Sequence, residues 1–221
     1  MRACDNTDRL VRFLMPRPTK QTPERGSARQ RLLEAARDVI RAKGFAATSV
    51  DELCTAAGVT KGAFFHHFVS KEALGIAAAE FWGSSTSALF AEAPYHAPAD
   101  PLDRVLAYLD FRRLLIGGET WEWTCLVGTM AEEVHQTHPD IARACGEAIF
   151  GHAATLEADI ALAMAQHGIK APSAASLARH TQAVLQGAFV LAKAGGGVEA
   201  GQEALDHLRR YVELLFRKGE T

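Results

Sequence analysis

The chain has 221 residues, 48% of them hydrophobic, and a formal net charge of −2 at pH 7. This length is enough to bury the core of one or two domains, and the sequence lacks the run of about 18 apolar residues that a membrane-spanning helix needs. Its four cysteines have no CxxC or other metal-binding spacing, which fits a soluble protein of the reducing cytoplasm.

An arm precedes the first helix pattern. Residues 1–26 lack the apolar stretch of a signal peptide, and we expect them to form a disordered or basic arm. Met15 opens the sequence Met-Pro-Arg-Pro-Thr-Lys, so the residues before it are either a disordered extension or the result of a start assigned too early. Arg17, Lys20 and Arg25 could reach the phosphates of a nucleic acid if the chain binds one, although a solvated tail is the simpler expectation.

The first predicted helix covers residues 28–43. Its apolar residues recur at the three- and four-residue spacing of one helix face. They are Leu32, Leu33, Ala36, Val39 and Ile40. Gly44 follows and ends the helix. This face must pack against other elements.

Two further short helices follow, separated by a glycine turn. Thr48 and Asp51 have the spacing of a capping box, which predicts that the second helix begins at Thr48. Gly58 ends it, because glycine adopts the left-handed conformation without a Cβ clash. Thr60 caps the third helix, predicted at about residues 61–68. This is the layout of a helix-turn-helix, whose second helix lies in the major groove of DNA.

The rest of the chain predicts helices, while strand signals are scarce. The predicted helices cover about residues 71–91, 101–116, 121–136, 139–167, 173–194 and 199–218. Glycine and proline mark most of their boundaries, including the three glycines that begin at Gly195. The fold class is therefore all-α.

Charge is distributed unevenly along the chain. Through residue 72 there are 13 Lys and Arg residues against 8 Asp and Glu, a balance of +5, whereas the remainder has 11 against 18, a balance of −7. Phosphate contacts dominate the salt-dependent part of DNA affinity. A duplex is therefore expected at the basic end.

Several motifs resemble the DNA-binding domain of the tetracycline-repressor (TetR) family, over about residues 28 to 75. They are Phe45, Thr48-Ser-Val-Asp-Glu-Leu, Ala57-Gly-Val-Thr-Lys-Gly, His67-Phe68 and Ser70-Lys-Glu-Ala-Leu. The resemblance implies an N-terminal three-helix helix-turn-helix DNA-binding domain, residues 27–74, and a C-terminal helical ligand-binding and dimerisation domain, residues 75–221. It also implies a homodimer in which a bound ligand changes the spacing of two DNA-reading heads.

The resemblance assigns DNA contacts residue by residue. The nine candidates are Thr48, Thr60, Lys61, Gly62, Ala63, Phe65, His66, His67 and Lys71. Those from Thr60 to Ala63 lie at the start of the reading helix, whereas Thr48, His67 and Lys71 match positions that hold phosphates. Phe65 stands where the family usually has tyrosine, so a contact worth roughly 1 kcal/mol is lost. His66 is a possible substitute.

The last two helices, residues 173–194 and 199–218, are the expected dimer surface, since the family pairs its C-terminal helices into a four-helix bundle. Each helix also has an apolar stripe of its own. The stripes are Leu177, Thr181, Val184, Leu185, Ala188 and Leu191, and then Leu205, Leu208, Val212, Leu215 and Phe216. That the stripes only close the monomer core remains an alternative.

The middle helices carry large side chains that can surround an apolar or aromatic effector. They are Trp82, Phe90, Tyr108, Phe111, Trp121, Trp123, Met130, His152 and Met164. Ordinary core packing explains each of them equally well. Cys125 lies at a helix start, where backbone amides can lower a thiol pKa, so it is a candidate sensor of electrophiles or oxidants. A buried structural cysteine is the alternative.

No motif predicts an enzyme. GxSxG, P-loop, HExxH and GxGxxG fingerprints are absent, so no catalytic residue and no cofactor is assigned. Glu132, His135 and His138 can face one another over a helical turn, but a surface role is simpler than a metal site.

The sequence therefore predicts a ligand-responsive transcription regulator, a repressor that a small-molecule effector releases from double-stranded, palindromic operator DNA. A constitutive regulator or an activator without a ligand is the alternative.

Overall fold

The computed structural model describes residues 26–217, and within them the chain is helical without strands. This confirms the all-α prediction. The helices are α1 Ala28–Lys43, α2 Val50–Ala57, α3 Lys61–His67, α4 Lys71–Ala91, α5 Pro101–Leu114, α6 Thr120–Trp123, α7 Leu126–Val134, α8 Pro139–Ala154, α9 Glu157–Gln166, α10 Ala174–Leu191 and α11 Gly197–Arg217. Apart from Gly26, the predicted arm lies outside the described residues, as do Arg17, Lys20 and Arg25.

The described residues form two compact units. Unit 1 contains residues 26–86 and 124–149, and unit 2 contains residues 87–123 and 150–217. The three-helix head shares its core with a later helix, and the domain boundary after residue 74 stays a prediction. Leu126, Met130 and Val134 of α7 are buried in one cluster with Leu32 and Ile40 of α1.

Helix α2 begins one residue later than predicted. Ser49, not Thr48, is its N-cap, and the Ser49 hydroxyl accepts a hydrogen bond from the Glu52 amide at 3.2 Å. Thr48 is buried, and its hydroxyl donates to the Gly44 carbonyl at 2.6 Å. The capping box was wrong because two adjacent hydroxyls can each cap a helix, and Thr48 is used inside the turn.

The glycine turn of the helix-turn-helix has the predicted geometry. Gly58 is left-handed at φ 63° and ψ 43°. Its amide donates to Thr55, and the next amide, from Val59, donates to the Cys54 carbonyl at 3.0 Å. These two bonds are the Schellman arrangement that ends a helix at glycine. Thr60 caps α3, as predicted, by accepting from the Ala63 amide at 3.1 Å.

Two of the helices predicted from the sequence are each divided into two helices in the structure. The predicted helix at 121–136 is divided into α6 and α7, because Cys125 has an extended backbone and caps α7. The predicted helix at 139–167 is divided into α8 and α9. By length and composition the stretch Pro139–Gln166 is able to cross a membrane, a test that core helices of soluble proteins also pass.

Most of both predicted apolar stripes lies inside unit 2. Leu177, Thr181, Leu185 and Ala188 of α10 are buried, as are Leu205, Leu208, Val212 and Phe216 of α11. The monomer core therefore explains these residues, and the pairing of α10 and α11 between two protomers stays a prediction. The large apolar side chains exposed on the two helices are Val190, Leu191, Tyr211 and Leu214.

Gly201 of α11 is required by a close approach in unit 2. A Cβ at this position would lie 2.8 Å from the Trp123 ring, whereas one at Gly151 would meet nothing within 4 Å. We expect Gly201→Ala to lower the free energy of unfolding by about 1–3 kcal/mol through overpacking. Gly151→Ala, the matched control, should raise it by about 0.5–1 kcal/mol through helix propensity. Urea unfolding followed by circular dichroism measures both, and equal effects would contradict this account.

Candidate DNA-reading surface and effector site

Helix α3 presents one exposed face and buries the other. Phe64 is fully buried, which fixes the helix against the rest of unit 1. Lys61, Gly62, Phe65 and His66 are exposed, and the neighbouring Ala63 and His67 are partly exposed. Six of the predicted DNA contacts thus lie on a short helix that is open to solvent.

The charged group on this face has one internal partner. Lys61 Nζ lies 2.9 Å from the Asp51 carboxylate, and both side chains are more than half exposed. Such an exposed pair is worth at most about 1 kcal/mol. A phosphate can therefore compete for Lys61 at little cost.

Two of the predicted phosphate contacts are used inside unit 1. Lys71 Nζ donates to the carbonyls of Phe45, Ala46 and Thr48 at 3.1, 3.5 and 3.0 Å, and it lies 4.5 Å above the Phe45 ring. Its three donors are then occupied. Thr48 is buried. Both residues therefore shape the turn between α1 and α2, and their contact with phosphates stays a prediction.

Glu133 of α7 also holds this turn, by accepting hydrogen bonds from its backbone amides. Its Oε2 accepts hydrogen bonds from the amides of Phe45 at 2.6 Å and Ala46 at 3.1 Å. Gly44 has φ 93°, a conformation that favours glycine, and a Cβ there would displace the Glu133 carboxylate. No sequence pattern pointed to Glu133, because Glu133 and Phe45 are 88 residues apart.

An aromatic cluster in unit 2 brings together four of the predicted effector residues, Phe90, Tyr108, Phe111 and His152. The Tyr108 hydroxyl lies 2.9 Å from His152 Nε2. Phe90 contacts His152 and Phe111 at ring distances of 4.6 and 5.5 Å. Tyr95, which sequence reasoning missed, packs on Tyr108 at 5.3 Å.

His152 is neutral in this cluster. Burial, followed by the nearby charge of Arg112, lowers the pKa of His152 to about 3. Tyr108 and Arg112 both direct donors at its Nε2. The imidazole therefore carries its proton on Nδ1. Burial also raises the pKa of Tyr108.

Arg112 of α5 is stacked on rings and lacks a counterion. Its guanidinium lies 5.2 Å from the centre of Phe90 and 5.9 Å from that of Phe189, and its Nη1 lies 3.5 Å from His152 Nε2. Among residues 26–217 no carboxylate pairs with it. The adjacent Arg113, by contrast, pairs with Asp206 at 2.7 Å.

The other predicted effector residues do not join this cluster. Trp82, Cys125 and Met130 belong to unit 1, where Met130 is buried in the core and the other two pack against it. Trp121 and Trp123 belong to unit 2. Trp123 is buried and packs on Phe189 at a ring distance of 5.9 Å.

Cys125 has the geometry that the sequence suggested. It is the N-cap of α7, and its Sγ accepts a hydrogen bond from the Gly128 amide at 3.4 Å. The thiol is partly exposed. Its reactivity stays a prediction.

No metal site is found in the part of the chain that the structure describes, where no three His, Cys, Asp or Glu residues are grouped to hold an ion. His138 instead lies 3.7 Å from the Glu72 carboxylate and 2.9 Å from the Thr137 hydroxyl.

A helix-turn-helix with an exposed second helix, followed by a second helical unit, defines a class of DNA-binding regulators. Residues 32–78 match the family model of bacterial regulatory proteins of the tetR family. Residues 101–207 match the C-terminal domain of LmrA/YxaF-like transcriptional regulators. The chain belongs to the TetR family of transcriptional regulators, which are soluble DNA-binding proteins and not enzymes. Repression, homodimers and ligand response are typical of this family.

Individual relatives agree with this assignment. The transcriptional regulator AcuR from Cereibacter sphaeroides is 30% identical over 112 residues, 51% of this chain and 51% of AcuR. The reduced form of NemR from Escherichia coli aligns with a TM-score of 0.71 and 26% identity, over 83% of this chain and 96% of that one. A TetR-family regulator from Agrobacterium tumefaciens has a TM-score of 0.73 and 20% identity over the same shares. The chain spans about half, or less, of the length of the curated relatives it matches.

Replacing Glu133 tests its hold on the turn. Glu133→Gln removes the charge that strengthens two hydrogen bonds, and we expect the free energy of unfolding to fall by about 1–3 kcal/mol. Glu132→Gln, at the exposed neighbouring position, is the control and should change it by less than about 0.5 kcal/mol. Urea unfolding measures both variants. Equal stability of the two would remove the structural role of Glu133.

Lowering the pH should destabilise the protein through His152. The pKa of about 3 in the folded chain lies below the ordinary 6.5, so the unfolded chain binds more protons between these values. The contribution of neutral His152 to the free energy of unfolding is complete above pH 6.5 and is lost as the pH falls towards 3. About 2 kcal/mol of it is lost near pH 5. The free energy of unfolding of His152→Gln should not show this loss at low pH. His207→Gln, a control at an exposed histidine, should show it. A wild-type loss that His152→Gln retains would contradict the assignment.

Proposed function

We propose that this protein is a ligand-responsive repressor, in which two heads of a homodimer bind a near-palindromic operator and a small apolar or aromatic effector releases them. The observation that carries the proposal is the exposed face of α3, which holds Lys61, Gly62, Phe65 and His66. A second helix of this kind reads the major groove while the first crosses the backbone. The family supports this, because its members bind operator DNA as dimers.

Charge supports binding at the same end of the chain. Thirteen Lys and Arg residues precede residue 73, and six of them lie within the first 25 residues. Each phosphate that a basic side chain neutralises releases counterions, so affinity should fall steeply with salt. Thr60, Lys61, Gly62, Ala63, Phe65, His66 and His67 remain the proposed contacts. Phe65 lacks the hydroxyl that would hold a further phosphate.

The dimer surface that we propose lies on the exposed faces of α10 and α11. Ala183, Gly187 and Leu191 are exposed at four-residue intervals, which places them on one side of α10. On α11, Tyr211 is exposed and contacts His180 of α10 at a ring distance of 5.4 Å. Small residues beside large apolar ones allow two helix pairs to approach closely, which suits the four-helix arrangement of the family.

The effector acts by differential affinity. A ligand that binds two states of the dimer equally shifts nothing, whereas a shift from 1:99 to 99:1 needs about 10⁴-fold preference for one state. The aromatic cluster around Tyr108, Phe111 and His152 supports an effector site in unit 2. We place the regulator in the cytoplasm, where its thiols stay reduced.

A specific observation also favours an electrophilic effector. The Cys125 thiol is partly exposed and caps α7, the helix that carries Glu133. Alkylation of Sγ removes the contact with the Gly128 amide, and so disturbs the start of the helix that holds the α1–α2 turn. Cys125→Ser keeps a capping oxygen. Unchanged release of DNA from Cys125→Ser by a thiol electrophile would end this version.

Gel shift tests the proposal, with DNA from the protein's own promoter region at about 150 mM salt and excess competitor. We expect specific binding that one class of compound releases. Lys61→Gln should weaken binding and reduce the slope of log affinity against log salt by about 1. Lys43→Gln, whose lysine pairs with Glu52, is the matched control and should leave the slope unchanged.

The other outcomes are equally informative. Specific binding that neither aromatic compounds nor electrophiles release would favour a constitutive regulator. Absence of specific binding would overturn the proposed function.

A further inference from the structure

Unit 2 contains buried donors that lack an acceptor. Gln182 and Trp123 are each 6% exposed, and neither Gln182 Nε2 nor Trp123 Nε1 has a hydrogen-bond partner among the residues that the structure describes. A buried donor without a partner costs about 1–3 kcal/mol, so such groups are rare and call for an explanation. Arg112 adds a guanidinium that lacks a carboxylate in the same part of the chain.

These three donors border one aromatic region. Arg112 and Trp123 both pack on Phe189, at 5.9 Å in each case. Gln182 precedes Phe189 by seven residues, two turns of α10, and therefore shares its helix face. Gln182 and Arg112 both lie near enough to Tyr108 to oppose the rise of its pKa that burial causes. The region thus offers a cation, an amide and an indole N–H beside aromatic rings.

The charges nearby limit what this region can bind. Arg104, Arg113 and Arg209 are paired with Asp159, Asp206 and Asp110. His152 is neutral, so Arg112 is the one uncompensated cation in the cluster. A monoanion balances it, whereas a phosphate dianion would leave a buried negative charge without a partner.

We propose that Arg112, Gln182 and Trp123 bind the carboxylate of a small organic monocarboxylate, whose apolar or aromatic body packs on Phe90, Tyr108, Phe111 and Phe189. A guanidinium and a carboxylate form two parallel charge-assisted hydrogen bonds, and the amide and indole N–H groups can donate to the carboxylate lone pairs that remain. This inference rests on the proposed function, since it names the chemical class of the effector. A purely structural role for Arg112, as a cation stacked on rings, is the competing explanation.

Ligand-induced thermal stabilisation of the full-length protein distinguishes carboxylate binding from a purely structural role of Arg112. The probes are benzoate and butyrate, with benzamide and butyramide as neutral analogues and phenyl phosphate as the dianion. We expect at least one carboxylate to raise the Tm of the wild type in a concentration-dependent way, and its amide and the dianion to have at least tenfold weaker effects. Arg112→Gln should lose carboxylate affinity by about 10- to 100-fold. Arg113→Gln, one residue along α5, is the matched control and should retain it.

Gln182→Leu keeps the test decisive if Arg112→Gln fails to fold. Replacing an unpaired buried amide by an apolar group of similar size should leave the Tm without ligand equal or higher. The same change should weaken carboxylate binding several-fold. Unchanged carboxylate affinity in a folded Arg112→Gln or in Gln182→Leu would overturn the inference, as would the absence of stabilisation of the wild type by either carboxylate.

Gel shift on the same samples separates this inference from the proposed function. Specific DNA binding without any carboxylate effect would contradict the carboxylate site and would support the proposed regulator. Carboxylate binding that depends on Arg112, without specific DNA binding, would support the ligand site and would contradict the proposed repressor function.

Discussion

The turn between α1 and α2 is held by two opposite charges, and the orientation of the DNA-reading helix depends on it. Glu133 accepts from the amides of Phe45 and Ala46, while Lys71 donates to carbonyls of the same turn. A tight turn leaves such backbone groups unpaired, and each left without a partner costs free energy. Because α2 begins directly after this turn and carries α3 through Gly58, the clamp fixes where α3 points.

Helix α7 therefore links two features of unit 1 that differ in kind. Cys125 caps its start, and Glu133 lies near its end, eight residues or about 12 Å further along the axis. A rigid helix of this length transmits a displacement of one end to the other. Any event that moves α7 consequently acts on the α1–α2 turn through a hydrogen-bonded carboxylate rather than through loose apolar contact, which can slide.

Local signals in the sequence predicted local structure well. Gly44, Gly58 and Thr60 end or begin helices where expected, because each acts on backbone groups within a few residues. Prediction from the sequence failed for interactions whose partners lie far apart in the chain. Arg112 and Arg113 are identical neighbours on one helix, and they differ because Asp206, 93 residues away, pairs with one of them. Nothing within a helical turn of either residue carries that information.

The polar groups inside unit 2 oppose its stability. Arg112 is only partly exposed and lacks a carboxylate partner among residues 26–217, while stacking on rings contributes about 0.5–2 kcal/mol for each contact. The unpaired donors on Gln182 and Trp123 each cost free energy. Apolar side chains at these positions would make a more stable core. The carboxylate that we propose in this region would explain why a cation, an amide and an indole N–H border the same aromatic rings.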